Sequence, residues 1–196
     1  MPAFTIFKNE KCLGTVSPDN LEVFNIRLHG DRVTKTFSWL DAYGGARSPD
    51  NDTNHLTWLH SIEVDKGDSI KVHFDSQGAN TLTPHTFSEL FGDTEPESIP
   101  YNSADEMYDA LRARSKLRDG YRFQMHQPDT ERATYATRSE DFGYALSLLW
   151  YFKKPEQAKV MLTSTTIDEV QRQENGATHT QFYLALSQYL EVRVDA

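Results

Sequence analysis

One cysteine, Cys12, stands among 196 residues. That excludes an internal disulfide and a thiolate zinc site, and it sets a reducing, cytoplasmic setting as the expectation. No apolar run approaches the ~20 residues that a membrane-spanning helix requires. The opening Met1–Lys8 lacks the long apolar centre of a secretory signal and already alternates like a strand, so no membrane partner is expected. Basic residues are the scarcer charge. Twenty Lys and Arg face 29 Asp and Glu, for a net −9. The deficit sits mainly in residues 1–98, with 8 basic and 15 acidic side chains, against 12 and 14 in residues 99–196. A negative field repels phosphate backbones and argues against nucleic-acid binding. It also keeps the chain dissolved and steers a basic partner inward.

The usual chemical signatures are missing as well. There is no P-loop, no Gly-x-Gly-x-x-Gly fingerprint, no Gly-x-Ser-x-Gly elbow and no His-x-x-x-His pair. Asp50-Asn51-Asp52-Thr53-Asn54 imitates the opening of a calcium loop. His55 then stands where the loop needs glycine, and Ser61 where it needs a bidentate glutamate. Cys12, beside Leu13 in a hairpin strand, reads as a small buried hydrophobe. No cofactor, metal ion or catalytic residue is therefore expected.

What is present is two-residue periodicity. Phe4 and Ile6 begin a first strand, Asn9-Glu10-Lys11 turns it, and Cys12–Val16 returns. Leu21–His29 alternates, with a phase shift at Phe24-Asn25 that suggests a bulge. Val33–Leu40 predicts another strand, followed by a long polar loop over residues 41–55. Ile62 and Val64 before Asp65-Lys66-Gly67-Asp68, and Ile70, Val72 and Phe74 after it, predict a β-hairpin. On that hairpin Lys71, His73 and Asp75 share a solvated edge. Thr86-Phe87-Ser88-Glu89 forms a capping box opening a short helix that ends at Gly92. Ser103-Ala104-Asp105-Glu106 opens a second helix, with Met107, Tyr108, Leu111 and Leu117 on one face and Gly120 as its C-cap. Phe142, Tyr144, Leu146, Leu148, Trp150 and Phe152 fall on every second residue and predict a strong central strand with all six on one face. Residues 177–190 fit a period of two and a helical period equally. A helix over 177–187 and a strand over 190–194 are predicted. No internal repeat is evident.

The fold class is α+β, mainly antiparallel sheet, with an N-terminal sandwich or small barrel and a few helices in the C-terminal half. Residues 1–78 form a β domain, 79–102 a connector with a short helix, and 103–196 an α+β domain, the two packing as one unit or apart.

Leu56-Thr57-Trp58, Gly67-Asp68 ahead of alternating Ile and Val, and Gly44-Gly45 resemble small uncharacterised bacterial β-domain proteins over residues 3–75. Some of these are encoded near secreted toxins and look like immunity or accessory factors. The resemblance implies no catalytic residue.

Trp39, Tyr43 and Trp58 flank the acidic 41–55 loop, and exposed aromatics beside acid suit a protein interface. The expected function is a non-enzymatic protein-binding module, an acidic immunity-type protein that occludes a basic toxin surface. Its candidate contact residues are Trp39, Tyr43, Asp50, Asp52, Asp93, Glu95 and Glu97. One alternative is an enzyme or small-ligand binder with His29, His55, His60, His73 or His85 converging between the two halves. Another is a self-assembling structural protein, since edge strands pair between chains.

Overall fold

The computed structural model describes residues 1–47, 53–92, 103–128 and 130–196. Among these residues twelve strands and three helices follow in chain order. The first six strands are β1 (Ala3–Lys8), β2 (Lys11–Val16), β3 (Val23–Asp31), β4 (Ser38–Arg47), β5 (Thr53–Val64) and β6 (Ser69–Asp75). Two helices come next, α1 (Phe87–Phe91) and α2 (Ala104–Ala113). Then come β7 (Arg122–Gln127), β8 (Thr130–Ala136), β9 (Gly143–Tyr151), β10 (Gln157–Thr165), α3 (Ile167–Gln171), β11 (Ala177–Ala185) and β12 (Gln188–Asp195). Every strand pairing is antiparallel, in two six-stranded sheets, ordered β2-β1-β6-β12-β7-β8 and β11-β10-β9-β3-β4-β5. The class is α+β, dominated by antiparallel sheet and not closed into a barrel.

Alternation places the core. Phe4, Ile6, Ile70, Val72, Phe74, Leu190, Val192 and Val194 point inward from the first sheet, and Phe24, Ile26, Leu28, Leu146, Leu148 and Trp150 from the second. The Phe4 and Phe24 rings meet across the gap with centroids 5.2 Å apart, and Phe123 and Tyr144 at 4.7 Å. The two layers thus share one apolar interior.

Matched in order, the second six strands repeat the first. β1, β2 and β6 occupy one half of the first sheet as β7, β8 and β12 occupy the other; β3, β4 and β5 mirror β9, β10 and β11 in the second. The registers agree. Leu28 pairs with Leu40 as Leu148 pairs with Val160, and Phe4 with Phe74 as Phe123 with Val194. Equivalent residues lie about 120 positions apart. A pseudo-two-fold axis therefore runs between β6 and β12 in one sheet and between β3 and β9 in the other. Both sheets draw on both halves of the chain.

Several expectations are corrected. β5 and β6 are not a hairpin: β5 pairs with β4, whereas β6 pairs with β1 and β12 in the other sheet. The Asp65–Asp68 turn exists, with Asp68 N–H donating to Asp65 O and Gly67 at φ 85°, but it is a corner from one layer to the other. Alternation is the same in either topology, so periodicity does not separate them. β6 is an inner strand, so Lys71, His73 and Asp75 lie on a sheet face, not on an edge. The 177–187 segment is strand β11 with the turn that follows it, not helix. Its Phe182 and Leu184 pair with Val160 and Ala158, and sheet pairing overrides the helical period. α2 ends at Ala113 rather than Gly120, because Arg114 turns extended (φ −70°, ψ 138°) and Leu117 N–H donates to Arg32 O. The strand expected over Val33–Leu40 begins only at Ser38. The predicted 41–55 loop is strand as far as Arg47 and again from Thr53. β3 holds its register through Phe24-Asn25 without a bulge, and Cys12 is exposed. The helix opened by Thr86 is as expected, with its capping box formed and Gly92 as its C-cap.

After β6 the chain runs as a strap along one side of the molecule. Thr81 N–H donates to Thr15 O at 3.0 Å, and Thr15 N–H to Thr81 Oγ1 at 2.8 Å. Leu82 lies so close over Gly14 that an added Cβ there would meet its Cγ at 2.3 Å. His85 and Thr57 then exchange both backbone hydrogen bonds, at 2.8 and 2.9 Å. The strap thus meets the outer edge of β2 at Thr15 in one sheet and that of β5 at Thr57 in the other.

Candidate functional site

Period two places Trp39, Asp41 and Tyr43 on the same, outward face of β4. Two register irregularities between β4 and β5 shape what stands opposite. Between the Leu40–Ile62 and Ala42–Leu59 pairs, β5 carries an extra residue, so His60 and Ser61 bulge. Ser61 takes φ 50°, which turns its N–H onto Asp41 Oδ1 at 2.7 Å. The second irregularity leaves both Trp58 and Leu59 buried, so Trp58 is a core residue whose ring stands edge-on to Phe24.

Asp41 is the centre of the cluster. His29 Nε2 donates to its Oδ2 at 2.8 Å, and His60 Nδ1 lies 3.7 Å from its Oδ1. Burial opposes its ionisation, but the His29 hydrogen bond, the Ser61 N–H and the fields of both histidines outweigh it. The carboxyl is held below its ordinary value. Trp39 lies against the His29 ring at 5.6 Å, and Asn25 Nδ2 donates to the Tyr43 hydroxyl at 2.6 Å. Together His29, Trp39, Asp41, Tyr43, Thr57, His60 and Ser61 line a hollow of about 380 Å³. An ionised carboxylate between two aromatic side chains can receive a cationic side chain by ion pairing and by cation–π contact.

The order Ser61–His60–Asp41 also places a hydroxyl beside an imidazole, with Ser61 Oγ and His60 Nε2 3.3 Å apart. The relay is poorly joined. His60 stands beyond hydrogen-bond reach of Asp41, Asp41 is committed to His29, and the Ser61 N–H is spent on Asp41.

Of the sequence-derived contact residues, Trp39 and Tyr43 are brought together here. Asp50, Asp52, Asp93, Glu95 and Glu97 lie outside the described residues. Of the five histidines in the rival reading, His29 and His60 meet at Asp41. His55 lies beside Tyr43 at 6.3 Å, and His85 serves the strap. His73 is on the other sheet, stacked on Tyr189 at 5.4 Å, so the five do not form one cluster. Among the described residues no three His, Cys, Asp or Glu side chains are grouped to hold a metal ion. Sequence reasoning missed Asp41. Trp39 and Tyr43 stand out as aromatics beside a predicted 41–55 loop; only once that stretch is strand β4 does alternation put Asp41 midway between them on the same face.

The equivalent place in the second half differs. Lys159 stands where Trp39 does and Met161 where Asp41 does. Nearby, Tyr151, Phe152, Tyr183, Lys153, Lys154 and Lys159 border a groove of about 570 Å³. The repeat has kept its inner face and changed its outer one.

A charged network closes the end of the sandwich near α3. Arg32, 2 % exposed, donates to the carbonyls of Ser139 and Arg138, both at 2.6 Å. Buried Asp141 accepts from Arg138 and from Ser164, whose hydroxyl also meets His179 Nε2 at 2.7 Å. Burial opposes the Asp141 charge, and these bonds more than offset it, so its pKa is lowered. These groups are fully engaged with one another and serve the fold.

No family model, curated protein or solved structure matches this chain.

Proposed function

We propose that the protein is a non-enzymatic, cytoplasmic protein-binding module of immunity type, and that the Trp39–Asp41–Tyr43 row seats a Lys or Arg side chain of a basic partner. The observation that carries this reading is the Asp41 carboxylate, held ionised between two aromatic side chains in the lining of an open hollow. The net charge of −9 adds long-range attraction for such a partner and repels acidic ones. The acidic residues Asp50, Asp52, Asp93, Glu95 and Glu97 are assigned the steering role. Aromatic anchors around a desolvated charge pair supply most of the affinity at interfaces of this kind.

The test begins with capture of the partner from the native host, followed by its identification and purification. Stopped-flow and equilibrium binding with the purified pair then decide. Trp39→Ala and Asp41→Asn each weaken binding by about tenfold or more, since anchor truncation costs roughly 1–3 kcal/mol. Reversing the charge of Asp93, Glu95 and Glu97 slows association without changing dissociation, and added salt reproduces the effect. A captured partner with an acidic surface, or equal affinity for Trp39→Ala and wild type, refutes the proposal.

A further inference from the structure

Strand register sets Tyr183, Lys159 and Leu149 abreast on the outward face of β11, β10 and β9. Tyr151 and Val23 pair in the adjoining outward row, and Phe152 follows in the β9–β10 turn. Single bare aromatics are ordinary on a protein surface, whereas several gathered together mark a contact site. Tyr151, Phe152 and Tyr183 are 47, 57 and 51 % exposed, and with Val23 and Leu149 they wall the groove of about 570 Å³. Small-molecule sites run from roughly 300 to 1,000 Å³. The charged groups here are nearly all of one sign. Lys159 stands in the first row, Lys153 and Lys154 in the turn, and Glu22 is the one carboxylate in the lining. Elsewhere Lys8 and Lys71 are paired, with Asp68 and Glu191. Among the described residues no carboxylate pairs with Lys153, Lys154 or Lys159. In a chain of net −9 this is a local reversal of charge laid against an apolar wall.

We infer that the groove binds a small amphiphilic carboxylate, an aliphatic acid whose chain lies along Tyr151, Phe152 and Tyr183 and whose head meets the Lys159 ammonium. Burial of the chain against these rings supplies affinity, and the lysines fix which way round the ligand lies. The sign of the charge excludes a cationic side chain of the kind the Asp41 hollow receives. The donor set tells against a phosphate ester. Phosphates are held by arginine forks, helix starts and free backbone N–H groups. No arginine lines this groove, and the Phe152 N–H donates to Glu22 O at 3.0 Å. Ammonium groups acting as point charges suit a singly charged carboxylate. The Asp41 hollow is built on the β3–β5 half of the sheet and the groove mainly on the β9–β11 half, so binding here does not depend on the function proposed above.

Isothermal titration calorimetry of the full chain with decanoate, kept below its micellar concentration, tests this. The wild type binds one equivalent of decanoate, and binds decanol and decyltrimethylammonium about tenfold or more less tightly. Lys159→Met keeps the apolar stem and removes the charge. It weakens decanoate binding by about tenfold or more and leaves decanol binding unchanged. Lys35→Met, away from the groove, alters neither. Nuclear magnetic resonance gives a second readout that needs no variant: decanoate shifts the ring signals of Tyr151, Phe152 and Tyr183 and leaves those of Trp39 and Tyr43 in place. A wild type with no saturable decanoate binding overturns the inference. So does decanol that binds as tightly as decanoate, a folded Lys159→Met protein with wild-type affinity, or a groove that takes an acidic Glu–Phe peptide in place of decanoate.

Discussion

Asp141 shows how a single charged residue sets the pH range over which one end of the sandwich holds. Its side chain is 1 % exposed and bound to Arg138 and Ser164. In the unfolded chain an aspartate titrates near ~3.9, and in the folded protein its pKa lies lower. Its contribution is therefore complete above about pH 4 and disappears as pH falls through the folded value. Urea midpoints measured from neutral pH down to pH 2 should fall steeply for the wild type below about pH 4. Asp141→Asn should start lower, by about 1–3 kcal/mol, and fall less. Tyr121 works at the other extreme. Burial pushes its phenol up to about 12, against the pull of the adjacent Arg118. The unfolded chain ionises first, near pH ~10, so stability declines as pH rises from there towards the folded value. Tyr121→Phe should remove this alkaline component while costing the hydroxyl's bonds to the Asp31 and Phe37 carbonyls.

Elements differ in how much of them the residues alone disclose. Gly67 marks the corner between β5 and β6 in sequence and in structure. Its φ of 85° and the Arg193 guanidinium 3.3 Å from an added Cβ mean that Gly67→Ala should cost about 1–2 kcal/mol, read from the urea midpoint. The β1–β2 hairpin, β9, and the start of each of the first two helices were legible because each rests on local chemistry, either period-two alternation or a capping side chain. The pairing of β5 was not. A strand leaving a turn alternates identically whether it folds back on its neighbour or crosses to the facing layer, so Ile62–Phe74 could not announce that its two arms belong to different sheets. β11 was lost for a related reason, since Phe182, Leu184 and Leu186 fit a period of two, Phe182, Ala185, Leu186, Tyr189 and Leu190 fit a helical one, and only β10 decides between them. Half of the candidate site was visible, as Trp39 and Tyr43. Asp41 needed the β5 bulge, because only that irregularity brings His60 and Ser61 to its side.

For the whole molecule, duplication was invisible in the residues because interior positions ask only to be apolar. Ile26 is matched by Leu146, Leu40 by Val160 and Ile70 by Leu190, and the solvent-facing set is free to diverge. The seams between the halves are the inner pairs β6–β12 and β3–β9, the latter nine residues long. Continuity of the polypeptide is thus not what keeps the halves together. If a protease severs the chain between Gly92 and Ser103, the two fragments should co-elute as a single species under native conditions and part only in denaturant. Mixed after separate refolding, they should reconstitute the cleaved parent and its near-ultraviolet dichroism. A chain built on this plan resembles a heterodimer whose two subunits happen to share one polypeptide, held by the β6–β12 and β3–β9 seams.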